Sequence, residues 1–407
     1  MFNISLSFMI ERGERKKEGG GKLENSSNII PQLQTLRAIA FVGIVLCHSR
    51  IFNGMLACLG PWAVSVFFVL SGFVMVYSYY KKSRIKKISC FSNVFFAYSK
   101  LKKLWYLHLI CTFAIVLTWF SENNFEPILY SITKIILNIA MIQGFFPIQG
   151  SSINGVSWFL CTILLSYFIF PYYLTLIEKK YSIRFALFVI IFCVVLQYFI
   201  SSLSFNLSAM IINSSLQDFS IDKNVSSWLV YAFPFSRMLD VIIGYNLGYL
   251  FINQKFQLKS IYSTLFETVG LILSILSCLF YIKYNQEFSE QLTNNLTFMS
   301  LLGLSFVFVF SSIFLVYSFS MQNGYLSNYL TNKITIFFAK ISPYGYLLHS
   351  VIFYYSYKVL YHIPRYSASE LFNNHYIIWG LFLFVFIVTI ILSKIWLVLF
   401  DKKFENK

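Results

Sequence analysis

Eleven apolar runs of helix length alternate along the chain with short polar stretches, at 33–53, 60–80, 103–120, 128–147, 157–177, 184–203, 228–251, 261–283, 297–320, 335–358 and 376–400. The runs are continuous, with no period-two alternation, so they predict membrane-length helices and argue against a β-barrel. The polar stretches sort by charge. KKSRIKK…SKLKK (81–103), EKKYSIR (178–184), QKFQLK (254–259) and the tail DKKFENK are basic and belong in the cytoplasm. SENNFE (121–126), the stretch 204–227 with Asp218 and Asp222, and NQEFSEQ (285–291) are poor in Lys and Arg and belong outside. These assignments agree only if one run between 121 and 177 fails to cross. The weakest is 128–147, which carries Lys134 in mid-run and ends in GFFPIQG. The expected fold is therefore an all-α integral membrane protein: a bundle of about ten transmembrane helices plus one re-entrant or interfacial helix, both termini cytoplasmic. Eleven spans with an outside C-terminus is the alternative. No internal repeat is evident, which weakens an inverted-repeat transporter reading.

Composition sharpens this. Of the 407 residues 57% are hydrophobic and only 12% charged, where a soluble domain carries about 25% charged residues. The net charge of +16 invites a nucleic-acid reading, but Lys and Arg cluster between spans, so no nucleic-acid partner is expected. The seven cysteines include no CxxC and mostly sit in apolar runs. They read as small core residues, with no metal site. In residues 1–30 the charges of ERGERKKEGGGK follow the mildly apolar start, the wrong order for a cleavable signal peptide. Residues 1–30 are read as a mobile cytoplasmic tail, 31–400 as one transmembrane domain, and 401–407 as a second cytoplasmic tail. No Gly-rich phosphate loop, HEXXH or EF-hand pattern occurs.

Chemistry enters through ionisable residues inside apolar runs, which are functional candidates by default. In LQTLRAIAFVGIVLCHSRIFNG, Arg37 precedes His48 by eleven residues. Eleven steps of about 100° return to nearly the same azimuth roughly 16 Å further along, so both side chains face one way. His48 is either a titratable group in use or a structural imidazole bonded to a neighbouring carbonyl. His349, in YGYLLHS, falls in the outer half of its span, as His48 does, so the two can approach across the bundle. Arg237 and Asp240, three apart in PFSRMLD, are expected to pair with each other.

Six stretches stand in an order that resembles the membrane-bound acyltransferase-3 family, which O-acylates surface glycans and related acceptors. They are LQTLRAIAFVGIVLCH; GPWAVSVFFVLSGFVM; YSKLKKLWYLHLI; VSWFLCTILLSYFIFP; and the late pair FPFSRMLDVIIGYNLGYL and FFAKISPYGYLLHSVIF. The resemblance covers most of 31–360 and implies that His48 is the essential base for acyl transfer. It further implies that Arg37, by bidentate contact, holds the pyrophosphate of an acyl-CoA. Lys100 and Lys103 replace two arginines at the inner mouth of the third span. Ser71, beside Gly72, takes a place at a tunnel wall; a small pair permitting close helix approach is the simpler reading of Gly72. Trp158 is an acceptor-side platform or an interface-belt aromatic. His349 is a second polar group beside the acceptor. Two departures stand out: Ile163 where many relatives carry Glu, and Tyr106 in place of a third-helix Pro. No attached extracytoplasmic hydrolase-like domain is expected.

The implied activity is O-acyl transfer, with acetyl as the expected group. The donor is cytoplasmic acyl-CoA (acetyl-CoA), and the acceptor a sugar hydroxyl of a surface polysaccharide, lipopolysaccharide or lipid-linked glycan. The setting is the plasma (inner) membrane, with lipid as the remaining partner and no tightly bound cofactor. A transporter or flippase for a lipid-linked or sugar substrate is the alternative, because intramembrane polar residues mark pathways as well as catalytic sites.

Overall fold

The computed structural model describes residues 29–80, 90–122, 128–147, 152–212, 225–253, 259–290, 297–361 and 374–401. The tail 1–28, the loops 81–89, 213–224 (with Asp218 and Asp222) and 254–258, and the tail 402–407, on which several charge assignments rest, lie outside the described residues. Among the described residues there is no strand, and the chain is a multi-pass helical membrane protein. Its helices are α1 (Pro31–Cys47), α2 (Leu59–Tyr79), α3 (Cys90–Glu122), α4 (Ile128–Ile139), α5 (Trp158–Lys180), α6 (Ile183–Ile212), α7 (Val225–Tyr231), α8 (Pro234–Asn253), α9 (Ser260–Glu290), α10 (Phe298–Leu304), α11 (Phe306–Ser320), α12 (Tyr325–Leu330), α13 (Lys333–Tyr361) and α14 (His375–Trp396). Among the described residues, eight helical spans are long and apolar enough to cross a membrane. Beside them, α1 is a shorter apolar helix of 17 residues, and α8 has 20 residues and carries Arg237 and Asp240.

Burial separates a centre from a lipid-facing rim. Of the most apolar window of α2, 83% is buried, against 22% in α6 and in α9. Exposed Phe188, Ile191, Phe192 and Phe199 make α6 apolar toward lipid as well as inward, as a helix at the rim must be. At the centre, α2 and α8 run parallel at unusually close range. A methyl group on Gly72 would lie 2.1 Å from the Val241 carbonyl oxygen, and one on Gly244 would lie 2.0 Å from that of Val69. Small residues that let two backbones touch are a common means of helix association in lipid, where hydrophobicity gives no preference for helix over acyl chain. Gly72→Ala should therefore push the two helices apart and destabilise the protein by about 1–3 kcal/mol. Thermal unfolding in detergent checks this; a variant melting with the wild type would contradict it.

The helix within the segment 128–147 is too short to cross a bilayer by itself. α4 has 12 residues, about 18 Å of helix against a hydrocarbon thickness of about 30 Å. It runs antiparallel to α3 and stops inside the bundle, where its last carbonyls require donors. Side chains of α3 supply them: His108 Nε2 donates to Asn138 O at 2.9 Å, Trp105 Nε1 to Ile139 O at 2.8 Å, and the Tyr98 hydroxyl to Ala140 O at 2.7 Å. The chain then turns through Gln143–Phe145 and enters α5 at Trp158. Trp158 packs on Phe68, halfway along α2. Trp158 is also the first residue of a 22-residue apolar stretch long enough to cross a membrane.

Two helix limits also differ from the apolar pattern. α3 starts at Cys90, thirteen residues before the expected 103, since nothing in FSNVFFAYSKLKK breaks a helix. Lys100 and Lys103 thus lie about three turns into a helix, and both are buried. α1 ends at Cys47, six residues early, and an eight-residue 3-10 segment, Ile51–Cys58, carries the chain into α2.

Candidate functional site

α1 and α13 lie parallel. At the end near Arg37, the Thr35 hydroxyl meets Thr331 and Thr335 at 2.9 and 3.2 Å. Midway, Phe41 seats on Gly345, where a methyl group would come within 2.5 Å of the Phe41 ring. Just before that contact Pro343 sits inside α13, so the carbonyl of Ala339 lacks its usual backbone donor. The Ser342 hydroxyl replaces it at 3.0 Å. The run Ser342-Pro343-Tyr344-Gly345 thus holds a proline inside α13 without an orphaned carbonyl, and its glycine is where the helix meets α1. One turn later the approach delivers His349 to His48.

The two imidazoles have centroids 5.0 Å apart at an interplanar angle of 63°. His48 caps the C-terminus of α1, with Nδ1 2.9 Å from Ile44 O. His349 is wholly buried near the middle of α13, with Nδ1 3.0 Å from Gly345 O. A carbonyl only accepts, so each Nδ1 carries the hydrogen and each neutral ring keeps its lone pair on Nε2. The carbonyl-bonded structural imidazole foreseen for His48 is therefore present in part: one nitrogen is held, and the other is left as a base. His48 is accessible while its ring edge meets a buried partner. The backbone just after it is strained, with φ 55° at Arg50 and 53° at Phe52, neither a glycine. Ser49 Oγ donates to Leu46 O at 2.6 Å and closes the helix end.

Aromatic rings continue the site from His349. Tyr346 is 6.0 Å from it, Phe159 5.0 Å from Tyr346, Phe68 stacked 4.4 Å from Phe159, and Trp158 5.0 Å from Tyr231. The Arg237 guanidinium lies over Phe68 and Tyr231, at 5.3 and 5.7 Å. It pairs with Asp240 at 3.2 Å, both side chains wholly buried, and donates to Ser305 Oγ at 2.7 Å; Gln197 Nε2 donates to Asp240 Oδ1 at 2.8 Å. Tyr346 lies within electrostatic reach of Tyr231, Cys47 and Arg237, which joins this network to the end of α1. The Tyr346 hydroxyl donates to Val156 O, two residues before α5 begins, at 3.0 Å.

The other end of α1 holds a second cluster. Arg37 is buried, donates to Gln34 Oε1 at 3.3 Å and lies within electrostatic reach of Tyr167. Lys100 Nζ stands over Phe96 at 5.1 Å and over Tyr79 at 5.5 Å. Phe96 in turn meets Tyr79 at 5.9 Å and Tyr167 at 6.0 Å. Two cations from α1 and α3 therefore converge on one aromatic wall, a desolvated setting that strengthens any anion they meet. Lys103 is buried one turn further along α3.

His48 and His349 are thus brought together, and Arg37 and Lys100 share the opposite cluster. Ser71 differs: its hydroxyl donates to Phe67 O of its own helix at 2.7 Å. Ile163 is buried in apolar surroundings, and Tyr106 is exposed away from the site, so neither departure adds a charged group there. Tyr231, Tyr346 and Arg237 were not legible as site residues, because aromatics are abundant and the Arg–Asp spacing already explained itself. Among the described residues, no group of three or more His, Cys, Asp or Glu is placed to hold a metal ion. A family model described as an acyltransferase domain matches residues 30–395. No curated protein and no solved structure matches the chain.

Proposed function

The chain belongs to the acyltransferase-3 family and is a membrane acyltransferase, and we propose that it O-acylates a glycan, taking the acyl group from acyl-CoA. One observation carries this reading: α1 joins a buried cation–aromatic cluster at one end to a base-ready histidine at the other. The Arg37 end would face the cytoplasm, in keeping with the basic loops around it, and would take the donor. Arg37 offers two parallel N–H bonds to a pyrophosphate, with Lys100 and Lys103 as point charges beside it. The acyl end of the donor then extends along α1 toward His48, roughly 16 Å away.

At His48, Nε2 takes the proton of an acceptor hydroxyl as its oxygen attacks the thioester carbonyl carbon. The new C–O bond forms, the C–S bond breaks, and the proton on Nε2 passes to the departing thiolate. The products are an ester and free CoA. The acceptor would be a sugar hydroxyl of a surface polysaccharide, lipopolysaccharide or lipid-linked glycan at the outer face of the plasma (inner) membrane. Acetyl is the group expected.

The test is incubation of membranes with labelled acetyl-CoA, followed by counting the glycan fraction. Label should enter in proportion to the amount of this protein. Absence of acetyl-CoA-dependent label in any glycan, with the protein present and folded, would defeat the proposal. Within that assay, Arg37→Met should raise KM for acetyl-CoA by about 10-fold or more, the loss of a hydrogen bond to a charged group, with a smaller change in kcat. An unchanged KM would remove Arg37 from the donor site.

A further inference from the structure

We propose that His349 is the positioning residue of the base, and this rests on the acyl-transfer reading above: its bare Nε2 is a second acceptor for the Nδ1 hydrogen of His48. The two ring nitrogens lie 3.4 Å apart. The carbonyls of Ile44 and Gly345 fix both tautomers, so at that contact His48 Nδ1–H is the donor and His349 Nε2 the acceptor. No other arrangement of the two neutral rings satisfies both carbonyls.

The consequence is mechanistic. When His48 Nε2 takes a proton, the positive charge spreads over the ring and the Nδ1–H becomes a stronger donor. It then has two acceptors, Ile44 O and His349 Nε2, one from α1 and one from α13. A base whose far nitrogen is held by a third group is the arrangement by which nucleophile–base pairs are oriented in general. Hydrogen bonds of this type are often long before substrate binds and shorten in the reacting complex, so 3.4 Å suits a waiting state. His349 is itself braced: Gly345 O holds its Nδ1, and Tyr346 and Phe353 flank its ring at 6.0 and 6.5 Å. His108, the other histidine deep in the described bundle, serves instead as a donor to the end of α4.

The experiment uses the full chain, labelled with 15N-histidine and embedded in lipid bilayers, together with the acetyl-CoA assay on the same samples. In the wild type, magic-angle spinning NMR should report His48 and His349 with protonated Nδ1 and bare Nε2. His349→Phe keeps a flat ring and removes the acceptor. It should shift the His48 Nδ1 resonance and lower kcat by about 10- to 100-fold, with KM for acetyl-CoA within roughly twofold of the wild type. His349→Gln presents Oε1 near the former Nε2 position and should recover both the resonance and much of the rate. If His349→Phe leaves the His48 resonance and kcat unchanged, or if Gln is as poor as Phe, His349 is a packing residue and the proposal fails. A wild type with no acetyl-CoA-dependent transfer would instead defeat the acyl-transfer reading, while the spectra still judge the hydrogen bond.

Discussion

Membranes carrying His48→Ala should transfer acetyl from acetyl-CoA about 10²- to 10⁴-fold more slowly than the wild type, the range a positioned general base contributes. The protein should nevertheless fold. The ring bond to Ile44 O is one hydrogen bond at the end of α1, worth about 0.5–1.5 kcal/mol net. The rest of α1 stays packed through Leu33, Leu36, Phe41, Ile44 and Val45. A second variant separates chemistry from capping. His48→Asn keeps an N–H able to reach the Ile44 carbonyl and has no basic nitrogen. If His48 serves the helix end alone, Asn should restore transfer; if it is the base, Asn should be as inactive as Ala. Near-wild-type transfer by the Asn variant would therefore remove His48 from the chemistry, whatever the Ala variant shows.

Particular residues show how far the chain could be read beforehand. Arg37 and His48 were visible because an ionisable group inside an apolar run is costly in lipid and therefore conspicuous. The weakness of 128–147 as a span was visible in Lys134 and in GFFPIQG, and its helix has only 12 residues. The same signal gave no way to tell His48 from His108, which are alike in sequence surroundings. Only the packing of α4 on α3 shows His108 donating to Asn138 O. Nor did the pattern place the end of α1 at Cys47, since IFNGMLAC continues the apolar run while the backbone leaves the helix through two left-handed residues. The packing of Trp158 on Phe68 and the position of Arg237 over Phe68 and Tyr231 depend on contacts between segments far apart in the chain. Periodicity reports which face of a helix is apolar and is silent on which neighbour that face meets.

Arg237 and Asp240 allow the stability of the central network to be measured apart from catalysis. Arg237→Met should destabilise the protein by about 3–5 kcal/mol, because it leaves the Asp240 carboxylate buried with no counter-charge. Asp240→Asn should also destabilise it, since a guanidinium between Phe68 and Tyr231 then lacks its anion. Combining the two should recover most of the loss. In the double variant the amide that replaces the carboxylate still offers an oxygen to Gln197 Nε2. The thioether chain that replaces the guanidinium fills much of the volume between the two rings without a charge. The expected result is strong non-additivity: a double variant more stable than either single one, read from thermal unfolding in detergent. The reasoning is that a buried pair gains little over an apolar filling, whereas half a pair is expensive. Additive losses would mean that the contact of 3.2 Å carries no such coupling, and that each residue is held by other partners.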